Sequence, residues 1–169
     1  TFDGVRTYLK DMVIDPVLLF READELEKQG VVDALSLLTV DDDCLTITPF
    51  HGAYSRLKEM LRDEKKGTVG MGVGDAISDM KRGETYVRVQ DFRSSDKTLQ
   101  EKIESIRQNK ISQTVELLTT LQVDELSPEM LAQIEILNDE NLVMLTTSAF
   151  QVLADLVTIS DSDYFEKIM

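Results

Sequence analysis

The sequence predicts a predominantly helical α+β fold. Short apolar or alternating segments, typical of strands, are confined to the first half of the chain, before about residue 92. The second half carries apolar residues at helical spacing almost throughout and is expected to form a helical cluster. A chain of 169 residues with 42% hydrophobic residues is long and apolar enough to bury a core of its own.

The first predicted elements are a short strand and a helix. Residues Met12 to Ile14 form an apolar strand candidate. Asp15 and Pro16 are typical of a helix start, because Asp caps free backbone N–H groups and Pro tolerates the first helical position. Gly30 is expected to end this helix.

Two further strands are expected at Leu35–Val40 and Leu45–Thr48, on either side of the acidic triplet Asp41–Asp43. Consecutive Asp side chains point apart and offer no closed cage, so a solvated turn is favoured over a cation site. Pro49 begins the next helix, which is predicted to end near Asp63.

A glycine-rich segment, Gly67–Gly74, follows, and then a short helix and a strand. Asp75 is expected to cap the helix, which reaches about Lys81. The alternating side chains of Glu84–Gln90 are typical of a strand. These elements complete the mixed α/β half of the chain, residues 1–92.

The remaining segment, residues 93–169, is predicted to be helical. Helices are expected to begin at Ser95, at the Ser127–Pro128 pair and at about Glu140. Asn109 is a candidate break in the first of them. A last helical turn is expected at Tyr164–Ile168.

The charge and cysteine content restrict the function. A formal net charge of −14 argues against binding to nucleic acid or to an anionic membrane surface, since both need clustered Lys and Arg. The single cysteine, Cys44, excludes an internal disulfide and favours a cytoplasmic location, where it would be an inert thiol on a strand. We find no signal peptide and no apolar run of transmembrane length.

Few residues suggest acid–base or metal chemistry. His51 is the single histidine, and a structural or surface role is favoured for it. No spacing of carboxylates singles out a catalytic pair. We therefore expect no catalytic residue and no metal site within this chain.

The glycine-rich segment is the main candidate for binding. Glycines allow backbone N–H groups to approach an anion, and the following helix N-terminus adds partial positive charge. The segment lacks both the Gly-x-Gly-x-x-Gly pattern and a Gly-Lys-Ser or Gly-Lys-Thr triphosphate loop. Spacing alone leaves two alternatives, a phosphate-binding loop and a mobile connection between helices.

The order of motifs resembles the adenylosuccinate synthetase family over about residues 12–92. The most specific element is Gly67–Gly74, which is similar to the family's Gly-Thr-Thr-Gly-Arg-Gly-Ile-Gly-Pro loop. The other matching stretches are Val13–Pro16, Glu25–Gly30, Pro49–His51, Asp79, Arg82–Gly83 and Val87–Val89. The resemblance implies that the chain is an internal segment of a larger α/β enzyme, spanning 1–169 as one unit.

The resemblance also implies a function. Enzymes of this family are homodimeric ligases of purine biosynthesis that join IMP to aspartate with GTP and magnesium. The resemblance assigns binding of the nucleotide phosphate to Thr68, Val69 and Gly70, and to an arginine that reaches the other subunit of the dimer. That arginine falls at Arg82, with Lys81 as its neighbour.

The loop departs from the family pattern at two informative positions. Val69 stands where the family has its second Thr, and Met71 stands where it has Arg. The catalytic residues of the family lie in segments that this chain does not contain, so the chain alone is expected to be inactive and to bind no cofactor. A non-catalytic relative, in which the helical region serves assembly, is the alternative.

Overall fold

The computed structural model describes residues 7–62 and 70–161, which form two small sheets surrounded by helices. The strands are β1 Thr7–Leu9, β2 Val13–Ile14, β3 Leu38–Asp41, β4 Leu45–Thr46, β5 Val87–Arg88 and β6 Thr158–Ser160. The α-helices are α1 Pro16–Lys28, α2 Pro49–Met60, α3 Val73–Arg82, α4 Asp96–Thr120, α5 Pro128–Asn138 and α6 Asn141–Leu156. The predicted predominantly helical α+β fold is confirmed.

Local capping places the starts of α1 and α5 where the sequence predicts them. The Asp15 carboxylate accepts a hydrogen bond of 3.0 Å from the backbone N–H of Leu18, and Pro16 is the first residue of α1. Ser127 caps α5 in the same way, through the N–H of Met130. Gly30 follows α1 with a φ of +93°, a conformation that glycine adopts without strain.

All four predicted strands are shorter than expected, since β2 lacks Met12 and β4 stops at Thr46, and the other two differ more. The Leu35–Val40 segment begins as a 3-10 helix over Ala34–Leu37, and only its end belongs to β3. The Glu84–Gln90 segment contributes only β5 and then enters a second 3-10 helix, Val89–Arg93. Here the Asp91 carboxylate accepts a hydrogen bond from the Arg88 backbone N–H, which turns the chain away from the sheet.

The prediction that strands stop before about residue 92 is wrong, because β6 follows α6. It pairs in parallel with β3, which lies between β1 and β6 in an all-parallel sheet. A three-residue strand shows no alternation, and the available edge of β3 decides its conformation. In the second sheet β4 lies between β2, its parallel partner, and β5, its antiparallel partner.

Asn109 does not interrupt α4, which runs unbroken through 25 residues. Its side chain donates a hydrogen bond to the Glu84 carboxylate instead of competing for the helix backbone. The last helical turn expected at Tyr164–Ile168 lies outside the described residues.

The core joins the strands to the helices of the second half. Phe92 and Phe150 stack with ring centroids 4.7 Å apart, and Ile103, Ile106 and Leu153 are buried around them. Helix α2 contacts α3, α4 and α5, so it is the element from which the candidate site is built. Within residues 7–62 and 70–161, no helix is long and apolar enough to cross a bilayer.

Candidate functional site

The described end of the glycine-rich segment packs directly on α2. Gly70 and Gly72 both have positive φ, +64° and +89°. A Cβ at Gly72 would lie 2.5 Å from the backbone carbonyl carbon of His51, and one at Gly70 would lie 2.5 Å from Cγ of Arg56. These two glycines are therefore required by backbone conformation and by close packing on the helix.

The prediction that Asp75 caps α3 is wrong. Gly72 is the N-cap, so α3 begins before Asp75 and places that residue within its first turn. The Asp75 carboxylate forms an ion pair with Lys58 of α2. This pair ties the start of α3 to α2.

A cleft of about 520 Å³ opens between α2 and the start of α3. Its lining includes Lys58, Arg62, Asp75 and residues 70–74. The first N–H groups of α3 contribute the partial positive charge of a helix N-terminus. Both cations already have acidic partners, because Lys58 pairs with Asp75 and Arg62 with Glu59.

The structure does not bring all the predicted binding residues together. Thr68 and Val69 lie outside the described residues. Gly70 is buried, and its carbonyl accepts a hydrogen bond from Arg56. Lys81 and Arg82 lie in the last turn of α3. The whole helix is about 15 Å long. They are therefore separated from the loop by the length of the helix.

Arg82 belongs to a buried ionic cluster that sequence reasoning did not find. At its centre is Asp79, whose side chain is fully buried. Its carboxylate accepts hydrogen bonds from Lys110 Nζ at 2.7 Å, from Arg82 Nη2 at 3.1 Å and from His51 Nε2 at 3.2 Å. The Asp79 cluster (Asp79, His51, Lys110 and Arg82) thus joins α2, α3 and α4.

The hydrogen bonds assign the protonation of His51. Its Nδ1 accepts from the backbone N–H of Thr48 at 3.1 Å, so the ring proton is on Nε2 and is donated to Asp79. Burial lowers the pKa of His51, against the opposing influence of Asp79, so the ring is neutral. His51 is fully buried, so the surface alternative is wrong, and the structural role stays a prediction that these hydrogen bonds support.

The pKa values of Asp79 and Lys110 are also shifted. Burial acts to raise the pKa of Asp79, but the hydrogen bonds from His51 and Lys110 outweigh it and hold that pKa well below its usual range. Burial lowers the pKa of Lys110, partly offset by Asp79. Lys110 follows Ile103 and Ile106 at helical spacing, so it lies on the apolar stripe of α4. A charged residue in such a stripe is the sequence feature that could have indicated a buried ion pair.

The acidic triplet is only partly the solvated turn that was expected. Asp42 and Asp43 lie in the turn, but Asp41 is buried in β3, where it accepts hydrogen bonds from the Tyr8 hydroxyl and the Asp43 N–H. Ligand oxygens of the three lie within 4.8 Å of one another. Cys44 is buried next to β4, and burial raises the pKa of its thiol, as expected of an inert cysteine.

Comparison with known proteins connects this arrangement to one family. A family model described as adenylosuccinate synthetase matches residues 5–156. Curated adenylosuccinate synthetases are also similar. The relative from Bifidobacterium adolescentis is 34% identical over 123 residues, covering 71% of the chain and 28% of the relative.

Two further relatives match a shorter part of the chain. The adenylosuccinate synthetase of Methylibium petroleiphilum is 37% identical over 100 residues, covering 56% of the chain and 22% of the relative. The adenylosuccinate synthetase of Bordetella pertussis is 40% identical over 92 residues, covering 53% of the chain and 21% of the relative. The chain thus spans between about a fifth and somewhat over a quarter of the length of these relatives.

Proposed function

The chain belongs to the adenylosuccinate synthetase family, and on this premise we propose that it is a segment of a ligase of purine biosynthesis. The ligase joins IMP, or a related purine nucleotide, to aspartate through a new C–N bond. In the reaction that the family implies, GTP phosphorylates the 6-oxygen of IMP, and the aspartate amine displaces that phosphate.

The observation that carries this proposal is the family match across 152 of the 169 residues, from residue 5 to residue 156. It includes the glycine-rich segment and α3, and the described residues 70–75 form one wall of the 520 Å³ cleft. A helix N-terminus beside a glycine-rich turn is a suitable environment for a phosphate group.

Within the ligase, this chain would hold the nucleotide phosphate. Thr68, Val69 and Gly70 would contact it through the loop, and Arg82, with Lys81 beside it, would supply a cation. The length of α3 separates Arg82 from the loop of its own chain, which suits an arginine that serves the other subunit of a homodimer.

The glycine-rich segment does not fit a triphosphate site for GTP and its magnesium. It lacks the Gly-Lys-Ser or Gly-Lys-Thr sequence of such a loop, and we derive no step through either group. Residues outside this chain would bind them and carry out the chemistry. We place the whole ligase in the cytoplasm and treat 1–169 as one internal segment, mixed α/β over 1–92 and helical over 93–169 apart from β6.

One observation favours a second function. Val69 and Met71 lack the hydroxyl and the guanidinium of the family loop. A relative with this loop could have lost catalysis and retained the helical region for assembly only.

The test compares the 169-residue chain with a full-length protein that contains it. Each is incubated with IMP, GTP, Mg²⁺ and aspartate, and adenylosuccinate is measured by absorbance and mass spectrometry. Product from the full-length protein and none from the chain is the expected result. A full-length protein that dimerises but makes no product would support the assembly role, and turnover by the chain alone would overturn the segment assignment.

A further inference from the structure

Arg56 of α2 is a half-buried cation whose hydrogen-bond partners are neutral. Its Nε donates to the side-chain oxygen of Gln133 at 2.7 Å, and its Nη1 donates to the carbonyl of Gly70 at 3.3 Å. Within residues 7–62 and 70–161, no carboxylate forms an ion pair with it. Burial lowers the pKa of its guanidinium, with no neighbouring charge offsetting the effect.

Arg107 shows how this chain treats a buried arginine that has a structural role. It pairs with Glu104 at 2.7 Å and with Glu140 at 3.6 Å, and Glu104 raises its pKa. Removing a charge from water is unfavourable unless an opposite charge compensates. Acidic residues outnumber basic ones by 32 to 18, so a half-buried arginine without an acidic partner is a distinctive feature of this chain.

The guanidinium of Arg56 lies at a cavity of about 410 Å³ between α1, α2 and the loop. A second arginine, Arg21, and the hydroxyl-bearing Thr48 also line this cavity. One carboxylate, that of Asp15, is present as well, but it is bound to the N–H of Leu18 at the positive end of α1. The cavity therefore contains more positive than negative charge.

The backbone around Arg56 is shaped to admit its side chain. A Cβ at Gly52 would lie 3.1 Å from Nη1 of Arg56, and one at Gly70 would meet Cγ at 2.5 Å. Next to Gly70 is Met71, which lines the same cavity and occupies the position of the loop arginine in the family pattern. The hydrogen bond from Arg56 to the Gly70 carbonyl thus places a guanidinium from α2 at the edge of the loop.

We propose that Arg56, together with Arg21, forms an anion site in this cavity, and that the site binds a phosphate or carboxylate group. The planar guanidinium of Arg56 binds one pair of oxygens, and the bound anion supplies the charge compensation that the chain itself does not. The site concerns binding by this chain and does not depend on the ligase reaction.

The test is calorimetric titration of the full chain with inorganic phosphate and, in a separate arm, with succinate at low ionic strength. Saturation by phosphate alone or by succinate alone identifies the group that the site prefers, and saturation by both shows a general oxyanion site. Arg56→Gln is expected to weaken binding by about tenfold or more, because the charge-assisted hydrogen bonds from the guanidinium to the anion are lost. Arg56→Lys should recover part of it, since the charge remains and the paired geometry is lost.

Arg88→Gln is the matched control, because Arg88 is bound to Asp43 away from the cavity. It should leave the affinity unchanged, and thermal unfolding of each variant verifies that it is folded. Amide NMR shifts should locate the anion at Gly52 and Met71, a readout that remains usable on the wild type if Arg56→Gln does not fold. Equal affinity of wild type and a folded Arg56→Gln, shifts elsewhere, or the absence of saturable binding would overturn the proposal. Phosphate binding in a protein without ligase activity would leave this inference intact and contradict only the proposed function.

Discussion

Two charged regions meet on α2, and they differ in how their charge is compensated. The Asp79 cluster faces α3 and α4, and its carboxylate accepts from three side chains within 3.2 Å. Arg56, one turn and a residue along the same helix from His51, has only neutral partners. The first region is complete within the chain, whereas the second requires an additional anion.

The comparison separates stability from binding. A buried charge with all its partners present contributes to the arrangement of the helices, and removing one partner leaves the others uncompensated. A half-buried charge without a partner contributes little to folding and is available to a ligand. Substitutions in the two regions should therefore affect different measurements.

The largest expected effect comes from Asp79→Ala. The substitution leaves Lys110 fully buried without its carboxylate, and we expect it to lower the free energy of unfolding by about 3–5 kcal/mol. Urea unfolding followed by circular dichroism measures the change. The control is Asp24→Ala, which removes an exposed partner of Lys28 and should stay within about 0.5 kcal/mol. A similar small loss for Asp79→Ala would show that the cluster is not a stabilising unit.

Arg82→Ala should separate the exposed member of the cluster from the buried ones. Its side chain is 51% exposed, so the free energy of unfolding should change by about 0.5 kcal/mol or less. In the full-length protein the same change should weaken binding of a purine monophosphate by about 1.5–3 kcal/mol. Titration calorimetry of the wild type and the variant measures this loss. Unchanged affinity would assign Arg82 to the surface and transfer the test to Lys81.

Acidification should destabilise the Asp79 cluster in two steps of the same sign. The folded state keeps His51 neutral while the unfolded ring takes up a proton below its ordinary pKa of 6.5, so stability falls as the pH drops below that value. The folded-state pKa of Asp79 is also lowered, so its contribution is present above about pH 4 and is lost below it. Each proton changes the unfolding free energy by up to about 1.4 kcal/mol per pH unit.

Urea unfolding between pH 4 and pH 8 tests the first of these steps. His51→Asn is expected to flatten the profile between pH 4 and pH 6.5, since no ring is left to titrate. A profile with the same slope in this variant would assign the acid sensitivity to other groups.

A stability effect much smaller than that of Asp79→Ala is expected at Arg56. Arg56→Gln removes a charge that no described carboxylate compensates, so the cost should be about 1 kcal/mol or less, mostly the hydrogen bonds to Gln133 and Gly70. Thermal and urea unfolding beside Asp79→Ala provide the direct comparison. A loss as large as that of Asp79→Ala would place Arg56 among the structural charges and remove the contrast between the regions.

The helix starts were predictable because capping is local. Asp15 and Ser127 each contact an N–H three residues ahead, so a few neighbouring residues determine the structure. The predicted cap at Asp75 was wrong for a tertiary reason, since Gly72 can approach α2 closely and Asp75 pairs with Lys58. The loop residues Thr68 and Val69 remain predictions.

The sequence by itself determined the helical content, the positions of most helix starts and, through the glycine-rich segment, the family. Only the tertiary structure decided which charges are paired: Asp79 meets His51 and Lys110 across 28 and 31 residues, and Arg56 meets no described acid. It also decided that Thr158–Ser160 is a strand, because β3 supplies its partner. Helix capping and periodicity depend on neighbours in the chain, whereas charge pairing and sheet edges depend on which elements pack together.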